Sequence, residues 1–98
     1  MLTKEQVMQA LSKTTHPEID YSLVDLGMIK DVRIDSEKII VTMNLPFLEV
    51  PIRDALARMV VQAVTREDET SQPEVQFAAM SEEERLEFMR KARERWKS

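Results

Sequence analysis

The stretch Lys38 to Leu45, KIIVTMNL, sets Ile39, Val41, Met43 and Leu45 on one side of an extended chain and Ile40, Thr42 and Asn44 on the other. Soon afterwards Pro51 suits the first turn of a helix in which Ile52, Leu56, Met59, Val60, Ala63 and Val64 form one apolar stripe. The polar run Thr65 to Pro73 breaks that pattern, and Val75, Phe77 and Ala79 alternate again as a strand. A strand, a helix and a strand in that order predict a right-handed crossover. The chain must then build a sheet with helices packed on it.

The flanking segments fit this plan. Thr3 with Gln6 is a capping-box pattern that opens a helix over Lys4 to Thr14, with Val7, Met8 and Leu11 on one face, and Pro17 follows its end. His16 is disfavoured from helical dihedrals by the proline after it, so HPEIDYSLVDLG reads as a structured loop ending at Gly27, the only glycine. From Met28 the chain alternates through Val32 and Ile34 and turns at Asp35 to Lys38, which makes a β-hairpin with the stretch above. Ser81 with Glu84 repeats the capping box and opens a last helix, acidic first and basic later, in which Leu86, Met89 and Trp96 can share a side. Such a side packs on the core or docks a partner. The charged residues between, such as Glu87, Arg90 and Lys91, read as a solvated face. The fold class is α+β: a small α-β-β-α-β-α layer sandwich with a mixed three-stranded sheet, one domain over residues 1–98.

Composition narrows the function. A net charge of -4 gives no electrostatic reason to bind nucleic acid or an anionic membrane surface. The absence of cysteine removes disulfides, thiolate catalysis and thiolate ligation of metals or clusters. No continuous apolar run approaches the ~20 residues of a membrane span, and the expectation is a cytoplasmic protein.

Candidate chemistry is sparse. His16, the only histidine, would have to recruit Glu18, Asp20, Asp25 or Glu49 to hold a metal or to work as an enzyme, without any strong ligand spacing. Turn-making and capping account for the loop carboxylates more simply, and no serine, threonine or lysine forms an evident nucleophile constellation with them. One glycine leaves no glycine-rich phosphate loop. No catalytic residue, metal ligand or cofactor is therefore assigned.

Taken in order, the segments ALSKTTHPEI, SLVDLGMIKDVRI, IIVTMNL and VPIRDAL resemble the SufT/PaaD-type, or MIP-eighteen-like, domain of iron–sulfur cluster assembly, over nearly the whole chain. In that family a cysteine stands before the proline ahead of the second helix, and ungapped alignment puts Val50 at that place and Pro51 after it. The family's Asp-Pro-Glu motif here begins with His16, followed by Pro17 and Glu18. The resemblance implies a non-catalytic adaptor or accessory in iron–sulfur protein maturation. Its partners would be proteins: a cluster scaffold, an Mrp-type carrier or an apoprotein, with a homodimer also open. The expected interaction residues are His16, Glu18, Asp25 and Gly27 in one loop and Asn44, Phe47, Glu49, Val50 and Pro51 in the other. Because PaaD-like members sit beside oxygenases, the resemblance also allows a structural subunit of a larger catabolic complex.

Overall fold

A computed structural model describes residues 2–97. The elements are α1 (Lys4–Ser12), β1 (Ile29–Asp35), β2 (Lys38–Leu45), α2 (Arg53–Glu67), β3 (Gln72–Ala79) and α3 (Glu82–Glu94), the order expected. β2 is the central strand, antiparallel to β1 and parallel to β3. The α+β mixed sheet read from the sequence is the sheet found.

Alternation in β2 drives the layering. Ile39, Val41, Met43 and Leu45 are fully buried beneath Leu56, Val60 and Val64 of α2 and Val7 and Leu11 of α1. Burying side chains of this size contributes about 1.5–3 kcal/mol each. The opposite face carries Arg33, Ile40, Thr42, Glu74 and Gln76, and stays partly or wholly exposed. β1 enters through an irregularity between Ile29 and Asp31. The hairpin closes without glycine, and Ser36 takes the left-handed conformation at φ 58°.

Three boundaries differ from the sequence reading. α1 stops at Ser12, before Thr14, because the Thr14 hydroxyl turns back to the Ala10 carbonyl (3.0 Å) and Thr15 leaves to bridge Ser22. Pro51 precedes α2 rather than occupying its first turn: the Arg53 N–H bonds the Val50 carbonyl (3.0 Å), a tight turn that puts Ile52 at the cap position. Ile52 has no side-chain acceptor for that cap, and Arg53 Nη1 donates instead to the Leu48 carbonyl at 3.0 Å. The polar run is part helix and part strand; the break itself is the turn at Asp68, whose carboxylate accepts from Thr70 N (2.9 Å) and Oγ1 (2.6 Å).

α3 has the capping box expected at Ser81 and Glu84 but a different buried face. Phe88 and Ala92 point into the core, whereas Leu86 and Met89 are 64 % and 44 % exposed. Both faces have apolar residues at helical spacing, and periodicity alone does not choose between them.

Gly27 sits at φ +72° in open space. Gly27→Ala should therefore destabilise by about 1–2 kcal/mol through backbone conformation alone, while Ser36→Gly should be neutral or stabilising. Urea titrations of both variants check the pair of opposite signs.

Candidate functional site

Leaving α1, the chain doubles back on itself. Thr15 bridges Ser22, the His16 N–H donates to the Tyr21 carbonyl (3.0 Å) and the Leu23 N–H to the Thr14 carbonyl (2.9 Å). This small antiparallel loop carries the His16 imidazole inward, to 3 % exposure. There Nδ1 accepts the Glu18 backbone N–H at 2.9 Å, which requires Nδ1 to be unprotonated and places the ring proton on Nε2. Burial lowers the His16 pKa from its ordinary value; the Glu18 carboxylate opposes that shift and the Lys97 ammonium reinforces it. At neutral pH the ring is an uncharged donor.

The other end of the chain fastens this loop. After α3, Ile19 and Trp96 form an antiparallel bridge, with Asp20 N to Arg95 O at 2.8 Å and Lys97 N to Glu18 O at 2.9 Å. Lys97 Nζ reaches the His16 carbonyl (3.3 Å), Tyr21 Oη donates to Glu94 (2.7 Å), and the Arg95 guanidinium lies over the Tyr21 ring. Backbone pairing thus joins segments that are distant in sequence.

Between them opens a cleft of ≈ 490 Å³. One wall is His16, Glu18 and Ile19; the second is Pro46 with Val50, Pro51 and Ile52; the third is α3 and its exit, from Phe88 and Met89 through Ala92 and Arg93 to Trp96. His16, Glu18 and Arg93 bring polar side chains, and Trp96 an indole N–H, to an otherwise mainly apolar hollow. It suits the apolar side chains of a ligand or peptide better than a charged substrate.

The residues singled out from the sequence divide. His16, Glu18, Val50 and Pro51 meet at the cleft. Asp25 and Gly27 lie instead on a separate hollow with Glu83, Glu84, Glu87 and Lys91, where Lys91 Nζ donates to the Asp25 carbonyl (2.6 Å) and Ser22 Oγ accepts the Asp25 N–H (3.0 Å). Asn44 is buried and ties β2 to the start of α3: its N–H bonds Met28 O (2.8 Å) and its Nδ2 bonds Glu84 Oε2 (3.1 Å). Phe47 and Glu49 are exposed on the loop between β2 and α2, and the Arg85 guanidinium stacks on Phe47 at 5.0 Å. Sequence reasoning missed the roles of Ile19, Phe88, Ala92 and Arg93 in the cleft. The weak signal was the second apolar series in the last helix.

Among the described residues, no three His, Cys, Asp or Glu side chains are grouped to hold a metal ion. Asp20 opens on a different surface, beside Arg95, Trp96 and Lys97. The carboxylates considered with His16 therefore do not converge on it, apart from Glu18.

The sequence model of a family described as "iron–sulfur cluster assembly protein" matches residues 4–77. An iron–sulfur cluster carrier protein of Mycobacterium leprae is 29 % identical over 91 residues, which cover 92 % of this chain and 24 % of that protein. An uncharacterized protein of Methanocaldococcus jannaschii is 46 % identical over 37 residues, covering 38 % of this chain and 39 % of that one. The matched stretches thus cover well under half the length of either relative. Among solved structures, a domain of unknown function from Bacillus anthracis superposes with a TM-score of 0.72 at 19 % identity, covering 89 % of each chain, so it shares the fold.

The state of His16 has a thermodynamic consequence. Its folded pKa lies below 6.5, so below that pH the unfolded chain binds more protons than the folded one. Stability should be undiminished above pH 6.5 and fall as the pH drops from there to the folded value. His16→Asn, which keeps an acceptor near the Nδ1 position but does not titrate, should flatten that part of the profile in chemical denaturation between about pH 5 and about 7.5, the range that spans imidazole titration.

Proposed function

The chain belongs to the iron–sulfur cluster assembly protein family, and from that membership we propose that residues 1–98 act as one domain that serves cluster assembly by binding other proteins. The residues present do not suit direct ligation of a cluster. There is no cysteine, and the position that resembles the family cysteine is Val50, a half-buried cleft residue without a donor atom. His16 has committed Nδ1 to Glu18. Imidazole and one carboxylate do not replace a set of thiolates.

What supports recognition is the character of the same place. The Asn44–Pro51 loop and the His16 loop flank the cleft, the first bringing Pro46, Val50 and Pro51 to it, and Phe47 and Leu48 of that loop are 57 % and 47 % exposed. Exposed apolar groups around an apolar hollow favour a partner's apolar side chains. The function is that of a non-catalytic adaptor or accessory. Its partners are a cluster scaffold, an Mrp-type carrier, an iron–sulfur apoprotein or a second copy of the chain, in the cytoplasm.

The single observation that carries this reading is the valine in the thiol's place at an intact, apolar cleft. A tagged chain purified anaerobically from its own cells should retain identified scaffolds, carriers or iron–sulfur apoproteins. Val50→Arg should reduce that recovery at least about tenfold, as loss of a central contact does, in a chain that keeps its far-UV circular dichroism and a cooperative thermal transition. Equal recovery by a folded Val50→Arg chain would rule out the cleft as the binding surface.

A further inference from the structure

His16 holds one hydrogen-bond donor in reserve. With Nδ1 occupied by the Glu18 N–H, the ring's remaining polar group is Nε2–H, which has no acceptor among the described residues. Asn44 Oδ1 is the one described side-chain atom that is both sealed from solvent and unpaired. Nε2 is therefore not sealed, and the 3 % of His16 surface that remains opens into the cleft the residue lines. A donor so nearly buried among apolar side chains favours a ligand oxygen, because leaving it unpaired costs free energy.

The other polar groups of the cleft select the head of that ligand. Arg93 is exposed and forms no ion pair among the described residues, and the Trp96 indole adds an N–H; against these donors stands one acceptor, the Glu18 carboxylate. An ammonium head would set donor against donor at His16 and charge against like charge at Arg93. An alcohol would leave the guanidinium unused. A carboxylate satisfies both, and the ≈ 490 Å³ hollow falls within the ~300–1,000 Å³ of small-molecule sites, with an apolar lining for the rest of the molecule. We propose that the cleft binds a small free carboxylic acid with an apolar body, its head between His16 Nε2–H and Arg93 and its hydrocarbon against Val50, Ile52 and Phe88. This ligand takes the same cleft as the protein clients proposed above, but its binding does not depend on theirs.

The purified chain carries its own reporters, since Trp96 is its only tryptophan and His16 its only histidine. Octanoate should shift Trp96 emission saturably, with a Kd below about 1 mM, and should move the His16 Nε2–H signal in nitrogen-15 NMR. Octylammonium should bind at least about tenfold more weakly. Arg93→Gln should weaken octanoate binding about threefold and Glu18→Gln should tighten it by a similar factor, as exposed charges do; both positions are exposed, so the fold is kept. Trp96 also lines the hollow beside Asp20, Arg95 and Lys97, and the His16 signal tells the two places apart. No saturable response by about 10 mM, ten times that limit, octylammonium binding as tightly as octanoate, a Trp96 response with His16 unmoved, or a Glu18→Gln chain that binds no better would each overturn the site. A chain that binds octanoate but retains no client overturns the adaptor role alone, and the reverse result overturns this site alone.

Discussion

Every layer of this domain is referred to the hydrogen bonding of β2. One edge of that strand is held antiparallel by β1 and the other parallel by β3, and its alternate side chains form the floor on which α1 and α2 rest. Its end is equally constrained. The Leu45 carbonyl accepts the Met80 N–H at 2.7 Å, the Pro46 carbonyl accepts Arg85 Nε at 3.1 Å, and Asn44 reaches Glu84. The loop that follows β2 is therefore aimed by three bonds to the start of α3, and the cleft inherits its second wall from that aim.

The elements legible in the sequence are those whose side-chain period is tied to local burial. Ile39 to Leu45 could be assigned because a period of two admits one buried face, and Ser81 with Glu84 because a cap is a contact between near neighbours. The errors share an origin. Pro51 fits either a first helical turn or the turn before it, and the Val50 carbonyl decides through tertiary placement. The inward face of α3 was decided by the core offered to Phe88, which no periodicity records. His16 reads as an ordinary loop residue because Lys97, which bonds its carbonyl, and Trp96, which bridges the nearby Ile19, are far from it in sequence. Asp25 and Gly27, close to His16 in sequence, were carried to another surface by the turn that Ser22 stabilises.

The cleft is lined mainly by apolar side chains, with few donor atoms. Val50 brings a small apolar side chain to one wall, and the His16 imidazole on another is buried, neutral and already hydrogen-bonded through Nδ1. Those two facts go together: an uncharged ring and a valine leave this part of the hollow with little charge. Arg93 and Glu18 place opposite charges at its walls.

The two outer strands set a limit on how the molecule can grow. Gln72 and Met80 turn their N–H groups toward β2, so alternation leaves the ring nitrogen of Pro73 on the free border of β3, where an added strand would seek a donor. The free border of β1 is disturbed by the irregularity at Ile29–Asp31 and lined with Lys30, Asp31, Arg33 and Asp35. Proline, a bulge and alternating charge are the devices that stop sheets from templating one another. Ribbon-like extension into fibrils is thereby discouraged on both sides, and association is diverted to side-chain surfaces, where it can be saturable and reversible.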